Sequence, residues 1–168
     1  MNIEIRNEHV EDIDTITQLT KAAFEHEAHT SHTEQYIVNA LRRGGQLTVS
    51  LVAVECNNIV GHIAISPIKV SSGADGWFGL GPISVCPDRQ GQGIGSALVK
   101  AALSEIQRLG GKGCVVLGDP GYYGRFGFLA HPNLQLTGVP PEYFQALSIA
   151  GEVPTGTVEY HKAFAATE

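Results

Sequence analysis

The sequence predicts an α/β (α+β) fold in which a mixed, mostly antiparallel sheet contains a central β-α-β unit. Strand patterns and helix patterns alternate along the chain, as they do in domains whose helices cover a sheet. Three β-rich runs also follow one another without a helix between them, which predicts an antiparallel meander. A long amphipathic helix and a short apolar run come next. Because a helical crossover joins parallel strands, that apolar run should lie parallel to the final strand of the meander.

Two helices are predicted before the meander. A short strand at Ile3–Ile5 opens the chain, and apolar residues then recur at helical spacing from Ile13 to about Phe24. The run Glu34–Arg43 carries its apolar side chains on one face, and the two glycines after it are a typical C-terminal helix stop. Residues 1–45 are therefore predicted to form a strand and two amphipathic helices.

The meander and the elements after it are bounded by turn signals. The strands of the meander are predicted at Leu47–Val54, Ile59–Val70 and Phe78–Val85. Asn57-Asn58 is predicted as the hairpin turn between the first two, because asparagine tolerates the left-handed conformation that tight hairpins need. The later elements are a helix from near Gly95, ended by Gly110-Gly111, a strand at Gly113–Leu117, a turn at Gly118–Phe128, and strands at Tyr143–Ile149 and Thr157–Tyr160.

Composition predicts a single domain, residues 1–168, located in the cytoplasm. Its apolar content of 43% suffices for a substantial core. The apolar runs are far shorter than the ~20 residues that span a bilayer, and the start of the chain lacks the features of a secretory signal. The net charge of −6 argues against nucleic acid or an anionic membrane as a partner. The oligomeric state is left open by the sequence, with a homodimer among the options.

No metal site is predicted. The three cysteines form no C-x-x-C pair, and each lies in or beside an apolar run, as reduced packing residues do. His26, His29 and His32 do not share one helical face, because His32 is rotated by about 240° from His26 on an ideal helix. These histidines predict a polar loop between the first two helices.

A glycine-rich turn at Gln90–Ser96 carries the most information about function. Its closely spaced glycines let amide N–H groups point inward, and the helix that follows adds positive charge at its N-terminus. Both features favour a phosphate or diphosphate, although an empty tight turn before a helix is the alternative. Gly95 is followed by Ser96-Ala97, which excludes a Walker loop, and the third glycine of a Rossmann fingerprint is missing.

The surroundings of this turn resemble those in a known family. With Gln90 as the first position, the turn fits the pattern Q/R-x-x-G-x-G/A, after the strand end Val85-Cys86-Pro87 and before an apolar helix. In this it resembles the GNAT superfamily of N-acetyltransferases, and the order of elements is similar over nearly the whole chain. The segments Gly118–Phe128 and Glu159–Phe164 resemble, more narrowly, its YhbS-like branch.

The resemblance implies an acetyl-CoA-dependent N-acetyltransferase that moves an acetyl group to a primary amine of a small molecule or a protein. Acetyl-CoA is then the cosubstrate, and no metal takes part. Amides of the turn would hold the CoA diphosphate, the strand before it would pair with the two pantetheine amides, and splayed parallel strands would hold the acetyl group. The loop between the first two helices and the Gly151–Gly156 loop would border the acceptor entrance. The implied cofactor-binding residues are Ile83, Ser84, Val85, Gln90, Gly91, Gln92, Gly93, Ile94, Gly95 and Ser96.

Tyr123 is the candidate catalytic residue that the resemblance implies. The family commonly places a tyrosine four residues before a Gly-Phe pair, near the CoA sulfur as general acid, and Gly127-Phe128 assigns that position to Tyr123. The alternative is that Tyr122 and Tyr123 only pack within an aromatic turn.

The general base stays open at this point. No Asp or Glu lies between Trp77 and Val85, where relatives often place a carboxylate that acts through water. The options are Ser84 with a water chain, a histidine such as His62, Glu34, or an amine that arrives deprotonated. The missing carboxylate also keeps open a non-catalytic acetyl-CoA sensor, and a third reading is a structural domain whose glycines only shape a turn.

Overall fold

The structure is a computed structural model that describes residues 2–28 and 30–168. Over these residues the chain forms eight β-strands and four α-helices. The strands are β1 (Glu4–Asn7), β2 (Val49–Glu55), β3 (Asn58–Val70), β4 (Trp77–Val85), β5 (Gly113–Leu117), β6 (Leu134–Gln135), β7 (Phe144–Ser148) and β8 (Gly156–Tyr160). The helices are α1 (Ile13–Phe24), α2 (Glu34–Arg43), α3 (Ile94–Arg108) and α4 (Pro120–Tyr123). The strand order is β1-β2-β3-β4-β5-β7, and off this path β8 pairs with β3 and β6.

The chain is divided into two compact units, of which the first comprises Met1–Ile65, Gly81–Ala102 and Lys162–Glu168. In this unit β1 pairs with β2, and β2 with β3, all antiparallel. Ile16 of α1, Val38 of α2 and Val52 of β2 form one cluster of its core. The helices thus bury the apolar faces that their sequence periodicity predicts.

Glycines end two of the helices as the sequence predicts. After α2, Gly45 has a φ of +70°, and the N–H of Gln46 donates to the carbonyl of Leu41 at 2.8 Å. After α3, Gly110 has a φ of +80°, and the N–H of Gly111 donates to the carbonyl of Ile106 at 2.9 Å. Each glycine supplies the left-handed residue that satisfies the last carbonyls of a helix.

The second unit comprises Ser66–Leu80 and Leu103–His161. In it β4 pairs parallel with β5 from Trp77↔Gly113 to Gly79↔Val115. β7 pairs antiparallel with β5, β8 antiparallel with the end of β3, and β6 parallel with β8. The core of this unit is apolar, and its buried members are Ile68, Val70, Trp77, Val115, Leu134, Phe144, Ala146 and Val158.

The predicted fold class is confirmed, and so is the parallel pairing that the helical crossover implied. One turn was predicted a residue too late. Cys56 and Asn57, with φ values of +51° and +66°, are its central residues, because β2 and β3 still pair at Glu55↔Asn58. Two short elements, α4 and β6, were not predicted. The single domain over residues 1–168 and the splaying of the parallel strands stay predictions. No helix in residues 2–28 and 30–168 is long and apolar enough to cross a membrane.

Candidate active site

The glycine-rich turn lies in the first unit, between the end of β4 and the start of α3. A short 3₁₀ turn, Pro87–Arg89, follows β4, and Gln90 is extended. Gly91 and Gly93 have φ values of +76° and +88°, in the left-handed region that favours glycine. Gly93 also accepts the first backbone hydrogen bond of α3, from the N–H of Ala97 at 3.1 Å. The turn therefore ends in the N-terminus of a helix of 15 residues.

The backbone donors of this turn are free. Within the described residues, the N–H groups of residues 91–96 have no acceptor. The first N–H groups of a helix lack partners inside the helix, and the helix dipole places partial positive charge beside them. Gly91, Gln92 and Gly93 are also exposed. The geometry suits an anion that is held by main-chain donors.

Side-chain hydrogen bonds hold the turn in this shape. Arg89 makes a bidentate ion pair with Glu55 at the end of β2, with Nη2 to Oε2 at 2.9 Å. Its Nε also donates to Oε1 of Gln92 at 3.0 Å, and Nε2 of Gln90 donates to the carbonyl of Val85 at 3.2 Å. The hydrogen bonds with Arg89 hold the pKa of the Glu55 carboxyl below its usual value. The turn is tied both to β2 and to the end of β4.

Close packing fixes the first turn of α3 against β3. A Cβ at Gly61 would lie 2.9 Å from Cδ1 of Leu98 and 3.0 Å from Cγ2 of Ile94. Only a glycine at this position lets the helix approach the strand so closely. Ile94 and Leu98 are fully buried as a result.

The strand residues predicted to bind pantetheine form the end of β4, directly before the turn. Ile83 and Val85 are half-buried. Ser84 is 2% exposed, and its Oγ is buried without a hydrogen-bond partner in the described residues. All ten predicted cofactor-binding residues, Ile83–Val85 and Gln90–Ser96, thus belong to the first unit.

Tyr123 belongs to the second unit, where it is the last residue of α4. Oδ1 of Asp119 caps this helix by accepting from the N–H of Gly121 at 2.9 Å, and Pro120 occupies its first position. The Tyr123 ring packs edge-on against Tyr122 and Phe128, with centroids 5.0 and 5.9 Å away. Burial raises the pKa of the Tyr123 phenol to about 12, so it is protonated at neutral pH.

Known proteins that are similar to this chain are acetyltransferases. An acetyltransferase (GNAT) domain model matches residues 46–129. YhbS of Escherichia coli K12, an uncharacterized N-acetyltransferase, is 35% identical over 156 residues, which cover 89% of this chain and 90% of that protein. The chain belongs to the GNAT acetyltransferase family. The predicted likeness to the YhbS-like branch is thereby confirmed.

Two solved GNAT structures are similar over almost their whole length. An acetyltransferase from Brucella melitensis in complex with acetyl-CoA is 45% identical, with a TM-score of 0.87 and 97% of this chain and 98% of that chain covered. Escherichia coli YhbS in complex with CoA is 34% identical, with a TM-score of 0.88 and 98% and 93% covered. The GNAT fold of this chain is therefore shown by sequence and by structure.

The three side chains that the sequence leaves open as general base in this GNAT chain each have a buried polar atom without a hydrogen-bond partner in the described residues. In the described part of the chain, buried polar atoms without a partner occur at Oε1 of Glu34, Nδ1 of His62 and Oγ of Ser84, as well as at Oγ of Ser66. Glu34 also accepts a hydrogen bond from Thr30 through its other oxygen. Buried polar atoms in native proteins are nearly always paired, so each of these is a candidate position for a bound water.

His62 is the buried end of a chain of polar side chains that the sequence did not predict. Its Nε2 lies 2.8 Å from Oγ of Ser50, and Ser50 donates to the carboxylate of Glu8. Arg42 closes the chain with Nε and Nη2 at 2.9 and 2.7 Å from the two Glu8 oxygens. These residues come from separate parts of the first unit, and no local motif connects them: Glu8 follows β1, and Arg42, Ser50 and His62 belong to α2, β2 and β3.

The burial of His62 predicts a loss of stability in mild acid. Burial, with the nearby Arg42 charge, lowers the pKa of this imidazole to about 4, and Glu8 only partly opposes the shift. Between pH 6.5 and 4 the unfolded chain therefore binds more protons than the folded one, and stability falls as the pH falls. The loss should reach about 3 kcal/mol across this window, measured as the free energy of urea unfolding at successive pH values.

A His62→Gln variant is the matched comparison for this titration. Without the imidazole, the slope of unfolding free energy between pH 4.5 and 6.5 should flatten, even if the variant is less stable at every pH. Glu8 titrates at lower pH, because hydrogen bonds from Arg42 and Ser50 outweigh its burial and lower its pKa. An unchanged slope in the variant would show that other groups cause the acid sensitivity.

The histidines between α1 and α2 form no metal site with the residues described. His26 and His32 are exposed, and His29 lies outside the described residues. No group of three or more His, Cys, Asp or Glu side chains in residues 2–28 and 30–168 is arranged to hold a metal ion.

Proposed function

We propose that this protein is an acetyl-CoA-dependent N-acetyltransferase that acts on a primary amine of a small molecule or a protein. The free main-chain donors of residues 91–96 carry this proposal, because unpaired N–H groups at a helix N-terminus suit an anion. Membership of the GNAT family and the acetyl-CoA and CoA in the two similar solved structures support the same ligand.

The binding residues have separate tasks in this proposal. The amides from Gln90 to Ser96 hold the CoA diphosphate, and the Arg89–Glu55 ion pair keeps the turn in shape before the ligand arrives. The backbone of Ile83–Val85 pairs with the pantetheine amides as it would with a peptide. A turn that is already formed loses little conformational entropy on binding, which favours affinity.

Tyr123 supplies the proton in the proposed reaction. Acetyl-CoA brings a thioester, whose carbon the amine attacks while the thiolate leaves. A phenol whose pKa is raised to about 12 is protonated at neutral pH and donates a hydrogen bond to the sulfur as it departs, although complete transfer of the proton to a thiolate is uphill. A thiol pKa near ~8.5 makes the thiolate a fair leaving group, so this proton accelerates the reaction without being indispensable.

The acceptor is proposed as an amine on two grounds. The relative YhbS is named an N-acetyltransferase, and the net charge of −6 favours a cationic acceptor. Location in the cytoplasm and assembly as a homodimer remain proposals as well.

Two measurements on the same protein test the function. Calorimetric titration should show binding of acetyl-CoA, and S-acetylpantetheine, which lacks the diphosphate, should bind far more weakly. When a panel of amines is added one at a time with acetyl-CoA, at least one amine should cause release of free thiol. Binding without thiol release from any amine would favour the non-catalytic sensor, and absence of binding would leave only a structural role for the glycine turn.

A further inference from the structure

We propose that Glu8, Ser50 and His62 form a proton relay that removes the proton of the acceptor amine, with Nδ1 of His62 as its receiving end. The proposal rests on the proposed function, which needs such an acceptor and finds no carboxylate between Trp77 and Val85. It is carried by the hydrogen-bond chain from Glu8 to His62 and by the unpartnered Nδ1 at its inner end.

The hydrogen bonds fix which nitrogen of His62 carries a proton. Glu8 accepts two hydrogen bonds from Arg42 and is ionised, so the Ser50 hydroxyl donates its single proton to that carboxylate. Ser50 Oγ must then accept from His62 across the 2.8 Å contact, which puts the imidazole proton on Nε2. Nδ1 is left with a free lone pair, as a proton acceptor requires.

A water is the proposed link between Nδ1 of His62 and the substrate. His62 is 0% exposed, and its Nδ1 has no partner in the described residues. Ser84, on the neighbouring strand β4, also has a buried Oγ without a partner. Buried waters are held by two to four such polar atoms, and a water here would let His62 act without touching the amine itself.

The proton balance of the relay leaves no charge on the imidazole. As the N–C bond to the acetyl group forms and the C–S bond breaks, the amine proton passes through the water to Nδ1. The Nε2 proton moves to Ser50, the Ser50 proton moves to Glu8, and the thiolate takes its proton from Tyr123. His62 ends as the other neutral tautomer, so a buried imidazolium is never required.

The outer end of the relay reaches the surface. Glu8 and Arg42 have side chains 17% and 18% exposed, and with Ser50 they line a cavity of about 290 Å³. The Glu8 end of the chain is therefore within reach of solvent. After the product leaves, the water takes the proton from Nδ1 and Glu8 returns its proton through Ser50 to Nε2, which restores the starting tautomer. Neither Glu34 nor Ser66, the other residues with unpartnered buried atoms, has a hydrogen-bond chain of this kind in the described residues.

The relay is tested by measuring kcat and the KM for acetyl-CoA in matched variants. We expect His62→Gln to lower kcat about ten-fold or more with little change in KM, as loss of a proton acceptor does. Ser50→Ala should also lower kcat, and Ser50→Thr, which keeps the hydroxyl, should restore it. Ser66→Ala removes a buried serine hydroxyl outside the chain and is the control that should keep wild-type kcat.

Nitrogen NMR of the His62 ring at neutral pH supplies a readout that does not depend on turnover. The wild-type ring should be neutral with its proton on Nε2, and Ser50→Ala should lose that preference. A wild-type ring protonated on Nδ1 would overturn the relay whatever the kinetics. The relay would also be overturned if His62→Gln kept the wild-type kcat, or if Ser50→Thr and Ser50→Ala lowered kcat equally. If wild-type protein releases no thiol with any amine, the proposed function fails, and the ring tautomer still decides whether Nδ1 is a free acceptor.

Discussion

Gly93→Glu should weaken acetyl-CoA binding by at least about 100-fold, which corresponds to about 2.7 kcal/mol. Gly93 has a φ of +88°, a conformation that costs other residues roughly 1–2 kcal/mol, so the turn should relax away from its present shape. The added carboxylate would also stand beside donors that are proposed to hold a diphosphate, and like charges repel. Calorimetric titration of the purified variant with acetyl-CoA measures the effect.

Gly73→Glu is the matched control for this change. Gly73 is exposed, has the same φ of +88°, and, like Gly93, has no heavy atom within 4 Å of an added Cβ. The control therefore carries the same backbone strain and the same added charge at a position outside the turn. Acetyl-CoA should bind this control as it binds wild type. If Gly93→Glu binds acetyl-CoA with full affinity, the diphosphate does not bind at this turn, because the free amides would then have no measurable role in binding.

Tyr123→Phe should lower kcat by about ten-fold or more while acetyl-CoA binding survives. The change removes only the hydroxyl, and the ring keeps its edge contacts with Tyr122 and Phe128, so the aromatic packing should be preserved. What is lost is the phenol hydroxyl that is proposed to donate to the departing sulfur. Single-turnover thiol release is the suitable measurement, because it isolates the chemical step from product release.

Tyr122→Phe is the control for Tyr123→Phe. It removes a neighbouring phenol from the same aromatic group, in which Arg125 lies 4.6 Å from the centre of the Tyr122 ring. Its kcat should match wild type. If both variants release thiol at the wild-type rate, Tyr123 is a packing residue, which is the alternative that the sequence left open.

Several features of this chain could be predicted because they depend on short stretches of sequence. The glycines at 91 and 93 predicted a tight turn before a helix, and the structure has a turn there, in which the two glycines have φ values of +76° and +88°. Helical periodicity predicted α2 at Glu34–Arg43 with its observed bounds, and the crossover rule predicted the parallel pairing of β4 with β5. Asp119-Pro120 is a typical helix start, so the same kind of signal could have revealed α4.

Other features required contacts between distant residues. The hairpin turn was misplaced by one residue, because two asparagines offered a good local turn while the pairing of β2 with β3 determines the register. From the sequence His62 was one of several options for a base. The structure joins it by hydrogen bonds to Ser50, 12 residues away, and through Ser50 to Glu8, 42 residues from Ser50.

Sequence by itself determined the fold class, the glycine turn and the family, because periodicity, glycine conformation and helix termini act over a few residues. Only the tertiary structure decided which polar atoms are buried, which are paired, and which nitrogen of His62 is free. Those properties arise when strands and helices far apart in sequence exclude water together, and hydrogen bonds then form between whatever groups the fold brings into contact.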